Sequence, residues 1–319
     1  MQPGGVELLD RRLIFITGKG GVGKTSIAAA LGLLASMRGR RTLVCEVDAK
    51  GNLADFFEAP PNGFRPQELS QGLFAMAMDT EESLKEYLRL QLKVPLLARI
   101  GPLARSLDFV ANAAPGVKEI LTVGKLCWEV RERHYDLVVV DAPATGHVVG
   151  QLAAPQAINE LVKVGRVREQ TRWMVDLLSD PAVTAAVVVA TPEEMPVTET
   201  LELVERVRLE TTVHLAGVIV NKVLPELFGR GEEEIFRRLR EPEHAAALEA
   251  AAGGPVEPVL DGAELAVTLR RTRAGHISRL RAELPDDLPL YYVPYLFTRT
   301  HGVRATRNIA DALGGELGF

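Results

Sequence analysis

The chain has 319 residues, 47% of them hydrophobic, which is enough for one large α/β core or two modest ones. Its 37 basic and 42 acidic residues leave a net charge of −5, so no global positive field is available to hold nucleic acid or an anionic membrane surface. The only cysteines, Cys45 and Cys127, form no C-x-x-C pair, which excludes a disulfide framework or a zinc site built from the cysteines of one chain.

No apolar run reaches the roughly 18 residues of a membrane span, and the first dozen residues lack the basic start and apolar stretch of a signal peptide. The expectation is a cytoplasmic protein. In chain order, β-branched runs predict strands over Leu13 to Thr17, Thr42 to Val47, Leu73 to Met78, Leu137 to Val140, Ala186 to Ala190, Leu215 to Val220 and Leu290 to Val293. LVVV and AVVVA are continuously apolar rather than alternating, as in strands covered on both faces. Helix signals follow Thr25, with Ile27, Leu31 and Leu34 before Gly39, and follow Asp79, where Glu82 completes a capping box.

The resulting fold class is α/β: a mostly parallel central sheet covered by helices on both faces. Two stretches interrupt the alternation, at about 80–134 and about 225–284, and both read as helical insertions. No Pro/Gly/Ser-rich linker isolates either, so residues 1–319 are expected to form one domain.

The chemistry begins at "GKGGVGKTS", residues 18–26. Gly18, Gly23, Lys24 and Thr25 satisfy G-x-x-x-x-G-K-[ST] between a strand and a helix, the context a phosphate-binding loop requires. Gly18, Gly20, Gly21, Val22 and Gly23 would turn backbone N–H groups toward phosphate oxygens. Ser26 follows in the same first helical turn; Lys24 would reach the β and γ oxygens, and Thr25 would ligate Mg²⁺. Asp141, at the end of the strand Leu137 to Val140, is placed to hold that magnesium, through water. Asp48 terminates the strand that begins at Thr42 and could orient or deprotonate an attacking water.

Asn221 and Lys222 resemble half of a guanine-binding N-K-x-D motif, but position 224 is Leu. Guanine's two donors would go unpaired there, so the base is expected to be adenine, met by Asn221 and backbone groups, with the nucleotide-contacting set extended to Pro294.

GKGGVGKT, D-A-x-x-N-L-A-D at 48–55 and D-A-P-A-T-G-H at 141–147 resemble the deviant-Walker ATPases. The likeness is to the ArsA/GET group, and it extends through "APGVKEILTVGKL" at 114–126 and "TPEEMPVTETLELVERV" at 191–207. Within that group the chain is similar to the single-domain actinobacterial "anion-transporting ATPase" relatives. The resemblance implies ATP and Mg²⁺ as ligands. It makes Lys19 a signature lysine reaching the phosphates of a second subunit, Asp48 and Asn52 the switch I residues, and 141–147 switch II. It also implies a homodimer or a heterodimer with a paralogous subunit, and a hydrophobic protein client or membrane partner.

The family usually has D-T-A-P-T-G-H in switch II and a His before the switch I asparagine, where this chain has D-A-P-A-T-G-H and Lys50-Gly51. No zinc is expected, because the second insertion lacks a C-x-x-C pair. Residues Leu84 to Val110 carry an apolar helical stripe that could form a client groove. Two other readings are a ParA/MinD-type positioning ATPase and a nucleotide-binding scaffold with little turnover. Nucleic acid is not an expected partner.

Overall fold

A computed structural model describes residues 7–48, 53–92, 116–161, 166–229, 231–297 and 302–319. Its strands are β1 (Leu13–Gly18), β2 (Thr42–Glu46), β3 (Gln67–Ser70), β4 (Leu73–Ala77), β5 (Leu137–Ala144), β6 (Thr184–Ala190), β7 (Leu215–Val223) and β8 (Leu290–Pro294). They form one sheet in the order β3-β4-β2-β5-β1-β6-β7-β8. Every neighbouring pair is parallel except β3 with β4. The seven expected strands are all present. The eighth, β3, has a polar, alternately exposed sequence, QELS, which reads as loop until its pairing with β4 is seen.

The helices are α1 (Lys24–Met37), α2 (Thr80–Leu92), α3 (Val117–Arg131), α4 (Thr145–Leu161), α5 (Arg166–Ser179), α6 (Glu194–Glu210), α7 (Glu232–Leu239), α8 (Pro242–Ala252), α9 (Glu257–Glu283) and α10 (Val303–Leu317). Alternation along the strands divides the core into two layers. On one face Leu13, Phe15, Cys45, Val138 and Val140 pack with residues of α3 to α6, among them Leu126, Val148, Leu178 and Val204. On the other, Ile14, Ile16, Val44, Val139 and Val187 meet Ile27 and Leu31 of α1 and Ala310 and Leu313 of α10.

The C-terminal "NIADALGGELGF" is thus a core helix on α1, fastened at its end by the Arg38 guanidinium 3.9 Å from the centre of the Phe319 ring. Its helical period was the missed signal.

The second interruption is three helices that contribute almost nothing to the core: α7 and α8 bury no residue and α9 buries only Leu280. Ion pairs of Arg240, just after α7, with Asp261 and Glu264 (2.7 and 2.6 Å) and of Arg271 with Glu233 join α7 to α9. The first interruption contains α2 and α3. Asp79 caps α2 by accepting a 2.8 Å bond from the Glu82 amide, as the capping signal anticipates. Of the apolar stripe, Leu84 lines a cavity of about 300 Å³ beside Trp128 and Trp173, while residues 93–115 lie outside those described. Among the described residues no helix is long and apolar enough to cross a membrane.

β1 lies between β5 and β6, so the chain leaves β1 toward β2 on one side and later returns to β6 on the other. In such sheets ligands bind at the carboxyl ends of the strands at this reversal.

Candidate nucleotide site

Gly18 closes β1, and Lys24 opens α1 shortly after it, leaving a short loop at the reversal point. Two of its glycines are required by geometry. A Cβ on Gly18 (φ 145°) would fall 2.2 Å from the Val189 carbonyl oxygen, and one on Gly23 (φ 95°) would fall 2.4 Å from Asn221 Nδ2.

The far side of the loop is braced by β7. Asn221 Nδ2 donates to the Val22 carbonyl (2.8 Å), and Lys222 Nζ donates to the Gly21 carbonyl (3.3 Å). In a trans peptide the N–H points opposite the C=O, so the amides of Val22 and Gly23 are directed away from these braces, toward the concave side. Asn221 Oδ1 accepts from the Lys222 amide (2.9 Å), helping to hold Lys222 at a positive φ of 59°. The amide side chain expected to greet the base is therefore also the strut under the loop. It retains one N–H and one lone pair for a base. Pro294 ends β8 beside Val223, and Tyr295 N bonds Val223 O at 2.8 Å, so Asn221 and Pro294 share one sheet edge.

Inside the loop Lys24 Nζ donates to the Lys19 carbonyl at 3.2 Å. Ser26 and Gly20 keep their positions in the first helical turn and the exposed loop, and Gly21 is exposed beside Gly20. Thr25 Oγ1 donates to Asp141 Oδ2 at 2.6 Å. Asp141 does not end its strand as expected: β5 runs on to Ala144, because β1–β5 pairing resumes at Gly18 and Ala144 after a register shift. The acid is consequently buried, at 7% exposure, and its Oδ1 accepts no hydrogen bond. Burial raises its pKa from 3.8 to about 6; the Thr25 bond and Lys24 oppose the shift, and Glu46 and Asp48 add to it.

Glu46, which the sequence motifs do not single out, is directly opposite Asp141 in the β2–β5 register and is itself buried. A lone acid inside the run TLVCEV was the signal. An open carboxylate oxygen, a threonine hydroxyl bonded to the same carboxylate and a surplus of buried negative charge fit a hard divalent cation such as Mg²⁺.

The remaining expected residues are placed differently. Asp48 follows β2 by two residues rather than terminating it, is exposed, and lines a polar cleft of about 360 Å³ with Asp79, Lys118 and Thr122. Asn52 lies outside the described residues. Lys19 turns away from its own loop, and its Nζ meets Glu199 Oε1 of α6 at 2.5 Å.

Both cysteines are fully buried. Burial pushes their thiols far up.

The family profile described as "Anion-transporting ATPase" matches residues 11–175 and 160–244. "ATPase BagA" of Mycobacterium tuberculosis is 32% identical over 298 residues, covering 89% of this chain and 86% of that protein. "Arsenical pump-driving ATPase" of Acidiphilium multivorum is 27% identical over 67% of this chain and 40% of its own length. "ATPase GET3" of Podospora anserina is 28% identical over 51% and 49%.

Proposed function

The chain belongs to the anion-transporting ATPase family and is an ATPase, and we propose that it hydrolyses Mg·ATP at an interface between two similar subunits. The observation that carries the site is the Thr25–Asp141 pair, set beside Lys24 at the mouth of the braced loop. The loop amides and the helix N-terminus would hold the β and γ phosphates, with Lys24 leaving the Lys19 carbonyl for phosphate oxygen. Magnesium, when bound, would neutralise charge between those phosphates; Thr25 would ligate it and Asp141 would hold it through water. Asp48, at the head of switch I, would orient a water in line with the γ-phosphate. Asn52, Asn221 and Pro294 would complete the nucleotide contacts.

Lys19 supports the two-subunit reading. Its ammonium is not directed into its own loop, so a cation for the charge developing on the transferred phosphoryl would come from the other subunit. Ordering and release of residues 48–55 and 141–147 around the γ-phosphate would then drive α2, α3 and α7 to α9, which engage a hydrophobic client or a membrane partner.

The test is ATPase rate against protein concentration, with mass by light scattering with and without ATP. A specific rate that climbs with concentration, and that Lys19→Ala abolishes while nucleotide still binds, supports the proposal. A rate independent of concentration and of Lys19 would overturn it. Single-turnover hydrolysis would then ask whether the chain is a slow nucleotide-binding scaffold paired with a paralogue.

A further inference from the structure

We infer that Glu199 is a positioning residue for the ATPase reaction: it holds the Lys19 ammonium on its own subunit and sets how readily that lysine crosses to a second one. The inference rests on the proposed role of Lys19 in trans.

The geometry is specific. Lys19 is the first residue after β1, and its carbonyl is held by Lys24 Nζ at 3.2 Å. Glu199 sits in the first turns of α6 between Val197 and Thr200, which are 0% and 1% exposed, so its backbone is fixed against the sheet. The Nζ to Oε1 distance is 2.5 Å, and both side chains are 28% exposed. A charge-assisted contact of this length holds a long, flexible side chain in one direction. Partial exposure keeps the hold weak enough to be broken. A nucleoside triphosphate presented by a second subunit carries several negative charges against the single charge of Glu199, so it would win the ammonium once it is close. An isolated subunit would keep its lysine sequestered.

The experiment compares wild type, Glu199→Gln, Glu199→Lys, Lys19→Ala and the Lys19→Ala/Glu199→Gln double variant. The first readout is the protein concentration at half-maximal ATPase rate. The second is the dissociation constant of the assembly formed with a non-hydrolysable ATP analogue, by analytical ultracentrifugation. Removing a partly exposed charge partner should lower both values for Glu199→Gln by roughly two- to fivefold, and Glu199→Lys, which repels Lys19, should lower them at least as far. In the Lys19→Ala background the Glu199→Gln change should shift the assembly constant by less than about twofold, since a residue acting through another has nothing left to act on.

If Glu199→Gln and Glu199→Lys leave both concentrations at the wild-type value while Lys19→Ala abolishes turnover, Glu199 has no positioning role and the trans lysine stands. If Glu199→Gln shifts the assembly equally with or without Lys19, Glu199 acts on the interface by another route and the inference is wrong. If Lys19→Ala itself leaves turnover intact, the underlying two-subunit reading has failed instead.

Discussion

Thr25 Oγ1 and Asp141 Oδ2, 116 residues apart in sequence, meet at 2.6 Å and join the start of α1 to the middle of β5. The bond fixes the carboxylate, yet leaves its Oδ1 buried without a hydrogen-bond donor. A charge held in this way is expensive for the empty protein and useful only when a cation arrives.

Asp141→Asn should therefore stabilise the nucleotide-free protein at neutral pH. The folded-state pKa of about 6 lies above the ordinary 3.8, so the folded state binds the proton more tightly and stability falls as pH rises from about 4 to about 6. The difference between wild type and Asp141→Asn should be near zero at about pH 4 and reach roughly 3 kcal/mol at most above about pH 7. Urea unfolding across that range checks it. The same variant should lose magnesium-dependent turnover.

The glycines of the loop should separate by position. Gly23→Ala drives a methyl into the Asn221 amide, and Gly18→Ala drives one into the backbone of β6, where nothing can swing aside. Both should lose nucleotide binding, with Gly18→Ala the more destabilised, by more than about 2 kcal/mol. A methyl group on Gly20 would meet no atom within 4 Å, and Gly20→Ala should melt close to wild type. A thermal melt with and without ADP reads all three.

Asn221→Ala removes the donor to the Val22 carbonyl. Loss of a buried partner costs about 1–3 kcal/mol, and part of it should appear as nucleotide affinity because the loop is no longer braced. The expected result is about a tenfold weaker ADP dissociation constant, measured by titration calorimetry. Unchanged affinity would mean that the loop holds its shape without the Asn221 brace.

Cys45 and Cys127 should be silent toward a thiol reagent in the folded protein at about pH 8 and both react once it is unfolded. Their burial is complete and raises both thiol pKa values. Fast labelling of either in the native state would contradict this burial.

Lys125 ties the two helices of the first helical insertion together: its Nζ is 2.7 Å from Glu86 of α2 and 2.6 Å from Glu129 of α3. Burial alone would lower its pKa, but the bonds to Glu129 and Glu86 raise it overall. Lys125→Ala leaves the 6%-exposed Glu129 with the His134 imidazole, 2.7 Å from its Oε2, as its remaining ion-pair partner and should cost about 3 kcal/mol. Faster amide hydrogen exchange in α2 than in α10 would locate the loss.

By itself the sequence determined the parallel sheet and the phosphate loop, because both rest on local chemistry. A continuously apolar β-branched run cannot be a surface element, and glycines at Gly18 and Gly23 followed by Lys24 and Thr25 prescribe a backbone shape that few other sequences can take. The polar β3 was not legible, since an edge strand is defined by its partner, whereas α10 carried a helical period but its place against α1 depended on the groove it fills. Tertiary structure alone decided where the charges meet. Register put Glu46 opposite Asp141, a strand extended by pairing buried that aspartate, and α6 brought Glu199 to Lys19 across 180 residues. Such relationships depend on distances between segments far apart in the chain, and electrostatic energy depends on those distances and on burial, which residue types in a row do not specify.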